Sequence, residues 1–249
     1  MTDMDLEYTE RDGRRLAVRR RAGDGPTILF LPGYMSDMQG GKATALDGWA
    51  VDAGRAMLRF DYGGCGESAG AFADQTLDDW LADTVHMIDR ATDDPVILVG
   101  SSMGGWLMLL AALARPDRIA GLVGIAAAPD FTGWGFGDGE RRRLARGETL
   151  SEPSAYSDEP YITTAAFWRS GEANRLLGGD IAIDAPVRLL HGQADIDVPF
   201  RISVELAARL RSADVHVHLI KDGDHRLSRP ADIDLLIGTV ADLVETPPS

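Results

Sequence analysis

The chain has 249 residues, a formal net charge of −14 and a single cysteine, Cys65. Its length suits one sizeable domain, and its negative charge works against binding to nucleic acid or to an anionic membrane surface. One cysteine excludes an intramolecular disulfide and is compatible with a reducing compartment.

The N-terminal residues include Asp3, Asp5 and Glu7 and lack the continuous apolar segment of a secretory signal peptide. No apolar run approaches the roughly 20 residues that a membrane-spanning helix needs. We therefore expect a cytoplasmic protein without stable membrane insertion. Between residues 6 and 21, two short stretches flank Asp12-Gly13, a turn signal that predicts an antiparallel hairpin at the start of a sheet.

Residues 27–31 predict a buried strand, and the loop 32–37 follows it. Gly33 lets the chain turn sharply across the top of the sheet, which is where an oxyanion-hole loop belongs. We expect the backbone N–H of Tyr34 to be an oxyanion donor. The alternative is a plain strand-to-helix turn in which Asp37 is the N-cap.

A strand predicted over residues 56–62 leads into the glycine-rich loop 63–68. This loop lacks the lysine and the glycine spacing of a P-loop, and no GxGxxG sequence opens a helix here, so we exclude nucleotide binding. Cys65 lies in the loop and is either a reactive thiol or a small residue that fits a tight turn. Residues 77–91 carry apolar side chains at helical spacing and predict an amphipathic helix.

The apolar run 95–99 is followed at once by the sequence GSSMG at residues 100–104. An unbroken apolar run that ends in glycine is typical of a buried parallel strand, and the Leu- and Ala-rich stretch 106–114 predicts a helix. Between a strand and a helix, G-x-S-x-G has the spacing of a nucleophile elbow, a strained turn that exposes the hydroxyl of Ser102. A Cβ at Gly100 or Gly104 would collide with backbone packed against this turn.

Another apolar strand is predicted at residues 119–128. The repeated alternation of strand and helix predicts the α/β class, with a mostly parallel sheet of about eight strands flanked by helices. The alternation then stops, and a long structureless loop is uncommon inside a compact domain. We therefore interpret residues 130–183 as a small, partly helical cap inserted into a single domain that spans residues 1–249.

The aromatic side chains of this segment either line an acyl pocket or only attach the cap to the sheet. Both interpretations remain open at this point. The candidates for substrate contact are Trp134, Phe136, Tyr161, Phe167 and Trp168, and the segment also contains Phe131 and Tyr156.

Residues 187–190 predict the next strand, and the loop 191–199 that follows ends in Val-Pro before another helix. An acid at the carboxyl end of a strand is placed to reach the centre of the site. We favour Asp195 as this acid and keep Asp197 as its rival. His191 precedes the glycine turn, and we interpret it as a residue that packs the loop.

Residues 215–220 alternate with period two, which places His216 and His218 on one face of a strand. Neither histidine has cysteines or carboxylates in a ligand-like arrangement, so we infer no metal site. His225 lies in the loop beyond this last strand, and a helix over residues 230–244 closes the fold.

Three distant residues in these loops predict one chemistry. A serine hydroxyl needs a base to become a good nucleophile, His225 can accept its proton, and Asp195 can orient the imidazole. The chain order Ser102, Asp195, His225 is the order found on this type of sheet. The N–H groups of Met103 and Tyr34 would hold the oxyanion of the tetrahedral intermediate.

Five stretches together resemble the α/β-hydrolase family, over most of the chain from residue 27 onward. They are FLPGY at 30–34, RFDYGG at 59–64, GSSMGGWLML at 100–109, PVRLLHG at 186–192 and DHR at 224–226. The resemblance is to the branch that includes a mitochondrial palmitoyl-protein thioesterase also described as a mycophenolic acid acyl-glucuronide esterase. It implies a hydrolase of S-acyl cysteine and carboxylic esters whose triad corresponds to Ser102, Asp195 and His225. The N-terminal residues do not resemble an organelle transit segment, so we do not carry over the mitochondrial setting.

We therefore expect a serine hydrolase that cleaves carboxylic esters or thioesters through an acyl-Ser102 intermediate, with no cofactor and no metal. Its partner would be a small-molecule or S-acylated substrate, and the sequence does not define the oligomeric state. Amide or peptide cleavage and cofactor-free perhydrolysis need the same three residues and remain alternatives. So does a non-catalytic binding protein that keeps the fold.

Overall fold

The computed structural model describes residues 5–90, 92, 94–153 and 160–245. Within these residues, eight strands form the main sheet and two short strands form a separate antiparallel ribbon. The strands are β1 Leu6–Arg11, β2 Arg14–Arg21, β3 Asp24–Leu31, β4 Arg55–Phe60, β5 Val96–Ser101, β6 Ile119–Ile125, β7 Leu150–Glu152, β8 Tyr161–Thr163, β9 Val187–Gly192 and β10 Val215–Ile220. The α-helices are α1 Gly41–Ala53, α2 Leu77–Arg90, α3 Met103–Ala114, α4 Phe131–Trp134, α5 Asp138–Ala145, α6 Ala165–Ala173, α7 Arg201–Arg209 and α8 Pro230–Glu245. We call β7 and β8 the ribbon.

The main sheet has the strand order β1-β2-β4-β3-β5-β6-β9-β10. The pairs β1-β2 and β2-β4 are antiparallel, and the pairs from β4 across to β10 are parallel. Asp12 and Gly13 join β1 to β2 with φ angles of 51° and 76°, the positive values that a tight hairpin turn needs. The predicted N-terminal hairpin and the predicted mostly parallel α/β sheet are confirmed.

Strand β5 lies in the middle of the sheet and is buried on both faces. Leu98 belongs to the same core cluster as Trp106 of α3, whereas Ile97 belongs to the opposite cluster with Leu46 of α1 and Val240 of α8. Each such apolar side chain contributes about 1.5–3 kcal/mol when it is removed from water. This burial on two faces explains the unbroken apolar run of β5, and it fixes the position of the serine that follows.

Some element boundaries differ from those that the sequence predicts. The strand expected to reach residue 62 ends at Phe60, because Asp61 turns its carboxylate toward the N–H groups of Met38 and Glu67. Helix α1 was not predicted, since its apolar residues do not form a clear stripe. Tertiary packing nevertheless buries one side of it against the sheet, including Leu46. No helix among the described residues combines the length and apolarity that crossing a bilayer requires.

The chain between β6 and β9 contains α4, α5, the ribbon and α6. Within this segment, the Asp130 carboxylate accepts the N–H groups of Leu176 and Leu177 at 2.7 and 2.9 Å, which joins its beginning to its end. Ser170 of α6 donates to Asp78 of α2 at 2.6 Å. The interpretation of residues 130–183 as a cap within a single domain over residues 1–249 remains a prediction.

Candidate active site

Ser102 occupies the sharp turn between β5 and α3. Its φ of 54° and ψ of −119° are a strained conformation for a residue with a side chain. The turn is held because the N–H of Ser102 donates to the Ile125 carbonyl at 2.9 Å. A Cβ on Gly100 would lie 2.4 Å from the Gly104 carbonyl oxygen, and one on Gly104 would lie 2.1 Å from that of Leu31. Both glycines are therefore required for the backbone to pack this tightly around the serine.

His225 connects the serine to a carboxylate. Its Nε2 lies 3.1 Å from the hydroxyl oxygen of Ser102, and its Nδ1 lies 2.8 Å from Oδ2 of Asp195. A carboxylate oxygen only accepts hydrogen bonds, so in the neutral imidazole the proton is on Nδ1. Nε2 is then left with its lone pair facing the serine hydroxyl, the orientation that proton abstraction needs.

Two loops at the carboxyl ends of β9 and β10 carry the acid and the histidine, and they pack closely together. A Cβ on Gly192 would lie 2.1 Å from the carbonyl oxygen of Gly223. The N–H of Ala194 donates to that same carbonyl at 2.9 Å. This backbone contact brings together Asp195 and His225, which are far apart in the sequence.

The carboxylate of Asp195 is fully enclosed and accepts hydrogen bonds on both oxygens. Oδ1 accepts the N–H groups of Asp197 and Val198, each at 2.9 Å. Oδ2 faces His225 and also lies 3.2 Å from Nε2 of His191. Burial raises the pKa of the Asp195 carboxyl, but the hydrogen bonds from the two histidines outweigh it and hold the pKa below its ordinary value. Asp195 therefore stays ionised.

The rival acid, Asp197, is exposed, and its backbone N–H donates to Asp195. Of the two carboxylates, the one hydrogen bonded to His225 is that of Asp195.

His191 contacts the acid directly, which the sequence interpretation missed. It is fully buried, with Nδ1 2.6 Å from the Ser203 hydroxyl and Nε2 2.9 Å from the Val198 carbonyl oxygen. Because both neighbours of Nε2, that carbonyl and the Asp195 carboxylate, are acceptors, Nε2 carries a proton. This one N–H therefore points at the Val198 carbonyl at 2.9 Å and also faces Oδ2 of Asp195 at 3.2 Å, where it stabilises the carboxylate charge. The position of His191 four residues before the acid, at the end of a buried strand, was the available signal.

The loop after β3 lies against the elbow. A Cβ on Gly33 would be 3.3 Å from the Ser101 carbonyl oxygen and 3.4 Å from Cβ of Ser102. Tyr34 and Met103 line the same cavity as Ser102. Met103 is the first residue of α3, where a backbone N–H has no acceptor within the helix. Their roles as oxyanion donors remain predictions.

The alternative prediction, that Asp37 is the N-cap of the following helix, is wrong. Helix α1 begins at Gly41, with Gly40 as its N-cap. Asp37 instead accepts the N–H of Gln39 at 2.8 Å, which stabilises the loop before the helix.

A cavity of about 620 Å³ opens above Ser102. Three predicted aromatic residues, Trp134, Phe136 and Tyr161, line it. Phe167 and Trp168 are not among the described residues that line it, contrary to expectation. Phe167 is buried, with its ring centroid 4.9 Å from that of Tyr34, and the Trp168 indole N–H donates to the Thr132 carbonyl at 3.1 Å. These two side chains hold the segment together, and Tyr156 lies outside the described residues.

Lys42 of α1 was not expected at the site. Its Nζ donates to the carbonyl oxygen of Arg226 at 2.5 Å, immediately after His225. Burial lowers the pKa of Lys42 to about 8. The lysine thus ties the histidine loop to α1.

Asp195, Asp197 and His225 also offer ligand atoms within 4.8 Å of one another. A metal ion there would have to displace hydrogen bonds that Asp195 already accepts on both oxygens. This donor set fits a proton-transfer group better than a metal site, and we propose no metal.

Comparisons with known proteins agree with this architecture. A family model described as serine aminopeptidase, S33 matches residues 26–144. The mitochondrial palmitoyl-protein thioesterase ABHD10 of Homo sapiens is 42% identical over 234 residues, which cover 92% of this chain and 76% of that protein. The solved α/β hydrolase domain-containing protein 10 from mouse is 40% identical with a TM-score of 0.90, covering 97% of this chain and 98% of that one. A solved protein of Agrobacterium vitis S4 is 39% identical with a TM-score of 0.91, covering 98% and 100%.

The expected cytoplasmic location is wrong in the light of these relatives, because the human, orangutan and mouse proteins are all named as mitochondrial. Net charge and apolar runs do not predict a cellular location, because location depends on targeting segments that are independent of the fold. The resemblance noted in the sequence is confirmed by the identity over most of the chain. The chain belongs to the α/β-hydrolase family, together with the ABHD10 thioesterases.

Proposed function

We propose that this chain is a serine hydrolase that cleaves carboxylic thioesters or esters through an acyl-Ser102 intermediate. The observation that carries the proposal is the continuous hydrogen-bonded chain from Ser102 through His225 to Asp195, in which Ser102 and His225 line a cavity. A binding protein would not require this alignment on a strained turn.

In the acylation half, the Ser102 hydroxyl attacks the carbonyl carbon of the substrate while Nε2 of His225 takes its proton. The resulting imidazolium is stabilised by the ionised Asp195. The N–H groups of Tyr34 and Met103 hold the oxyanion, each worth about 3 kcal/mol of transition-state stabilisation. His225 then returns the proton to the departing thiol or alcohol, and the acyl group remains on Ser102.

In the deacylation half, water replaces the leaving group. His225 takes a proton from the water as it attacks the acyl carbonyl, and the same backbone donors hold the second oxyanion. Collapse of the intermediate returns the proton to Ser102 and releases a carboxylic acid. Apart from water and the substrate, these steps use only groups of this chain.

Two observations support an acyl substrate with an apolar chain. Phe131, Trp134, Phe136 and Tyr161 line the cavity, and rings of this kind favour burial of hydrocarbon. The human and mouse relatives, 42% and 43% identical, are named as palmitoyl-protein thioesterases. We infer that the S-acyl and O-acyl classes are both substrates.

The test compares the wild-type protein with Ser102→Ala on p-nitrophenyl esters, acyl thioesters and aminoacyl amides at matched concentration. We expect turnover of esters and thioesters by the wild type, and loss of at least about a thousandfold in the variant. Aminoacyl amides are included because the matching family model is described as a serine aminopeptidase. Turnover confined to amides would favour a peptidase, and equal activity of the two proteins would refute the nucleophile.

A further inference from the structure

Tyr34 makes contacts at both of its ends. Its backbone follows Gly33 in the loop against the elbow, while its phenol hydroxyl donates to the Ile162 carbonyl in β8 of the ribbon. Its ring lies between the ribbon and the body: the centroid distances are 6.3 Å to Tyr161 of β8 and 5.9 Å to Trp80 of α2. One residue thus joins the reaction centre to the ribbon.

The ribbon forms part of the cavity wall. Glu152 at the end of β7 and Tyr161 and Thr163 of β8 all line the cavity. Each of the two strands has only three residues, and their register pairs Leu150 with Thr163 and Glu152 with Tyr161. An isolated two-stranded ribbon is marginally stable in water. The position of this wall therefore depends on contacts that the ribbon makes with its surroundings.

The phenol is suited to hold that position. Burial raises the pKa of Tyr34 far above its ordinary value, although a hydrogen bond with the Thr163 side chain acts in the opposite direction. The hydroxyl stays protonated and donates throughout the pH range in which a histidine-dependent hydrolase works. The acceptor is a backbone carbonyl of β8, so the hydrogen bond sets the distance between the loop after β3 and the ribbon.

We propose that Tyr34 determines acyl-chain specificity: its phenol holds the ribbon as a wall of the acyl pocket, while its backbone lies at the reaction centre. This rests on the proposed function, because it assigns the cavity to the acyl group. A long acyl chain extends along the ribbon wall and depends on its position. An acetyl group stays beside Ser102 and does not reach it.

Tyr34→Phe tests this assignment, since it keeps the ring and the backbone N–H and removes only the hydroxyl. A neutral hydrogen bond contributes about 0.5–1.5 kcal/mol. We therefore expect the ratio of kcat/KM for p-nitrophenyl octanoate to that for p-nitrophenyl acetate to fall by roughly 3- to 10-fold, mainly through KM of the octanoate. An unchanged ratio between the two esters would overturn the proposal.

Ser170→Ala is the matched control. It also removes a hydrogen bond between this segment and the body, but through α6 and Asp78 rather than through the ribbon. We expect it to change both esters by the same factor. A chain-length-dependent loss as large as that of Tyr34→Phe would show that general loosening of the segment, and not the phenol, determines specificity.

A second readout does not depend on turnover. Hydrogen exchange of the backbone amides at residues 161–163 should be faster in Tyr34→Phe than in the wild type and unchanged in Ser170→Ala. Unchanged exchange in Tyr34→Phe would overturn the role of the phenol even if the enzyme is active. Absence of Ser102-dependent turnover in the wild type together with faster exchange would instead refute the proposed function and leave the contact with the ribbon established.

Discussion

Nε2 of His191 lies 3.2 Å from Oδ2 of Asp195, the same oxygen that His225 contacts at 2.8 Å. The carboxylate is therefore held between two imidazoles, one from β9 and one from the loop after β10. Only His225 reaches the serine. The buried histidine acts through Asp195, as a positioning residue.

Replacing His191 tests this arrangement. His191→Leu removes a donor from a buried carboxylate and leaves the Ser203 hydroxyl and the Val198 carbonyl without this partner, so we expect the free energy of unfolding to fall by about 2–4 kcal/mol. We also expect kcat to fall by about tenfold or more. His191→Gln keeps an N–H donor at a similar reach and should recover most of kcat, as measured by steady-state kinetics below the melting temperature of each variant.

Ser203→Ala is the control for that pair. It removes the partner of Nδ1 but keeps the donor to Asp195, so it should reduce stability with kcat within about twofold of the wild type. Equal kcat for wild type, His191→Leu and His191→Gln would contradict a positioning role.

Substitutions distinguish the catalytic roles of Asp195 and Asp197. Asp195→Asn removes the charge that orients His225 and stabilises its protonated form, and we expect kcat to fall by roughly four orders of magnitude, as in other triads. Asp197→Asn keeps the backbone N–H that Asp195 accepts, so kcat should stay within about threefold. The reverse ranking in a p-nitrophenyl ester assay would assign the acid role to Asp197.

Local patterns predicted much of this molecule. The buried run before Ser102, the Asp12-Gly13 turn and the chain order of Ser102, Asp195 and His225 depend on short-range chemistry that a sequence displays. Spacing placed His191 at the end of β9 and four residues before Asp195, but the contact between the two side chains also depends on how the loop after β9 folds back. The same holds for the aromatic residues: Tyr161 lines the cavity and Phe167 fills the interior, although both are rings in one segment.

The reactivity of Cys65 shows whether it is a reactive thiol or only a small residue that fits a tight turn. Its side chain is buried, and burial raises the pKa of the thiol to about 12. The reactive thiolate is therefore rare at pH 8, and we expect no measurable modification of the native protein by iodoacetamide within an hour. Full modification in urea is the control. Rapid labelling of the native protein, with loss of activity, would restore the reactive-thiol interpretation.

The lowered pKa of Lys42 predicts that the free energy of unfolding increases with pH. Burial lowers its pKa from 10.5 to about 8 in the folded protein, so between these values the unfolded chain binds more protons at this residue. Stability then rises with pH across this window. The free energy of urea unfolding of the wild type, relative to Lys42→Met, should increase from pH 7.5 to pH 10. A constant difference would show that folding leaves the pKa of Lys42 unchanged, and a falling difference would show that folding raises it; either result would contradict the effect of burial.

The most direct measurement is the covalent labelling of Ser102 by a fluorophosphonate probe, followed by mass spectrometry of the peptide that contains residues 100–104. We expect one adduct on Ser102, formed quickly in the wild type and at least a hundredfold more slowly in His225→Ala, because the imidazole activates the hydroxyl. An unlabelled Ser102 in folded wild-type protein, or equal labelling rates in both proteins, would contradict this expectation.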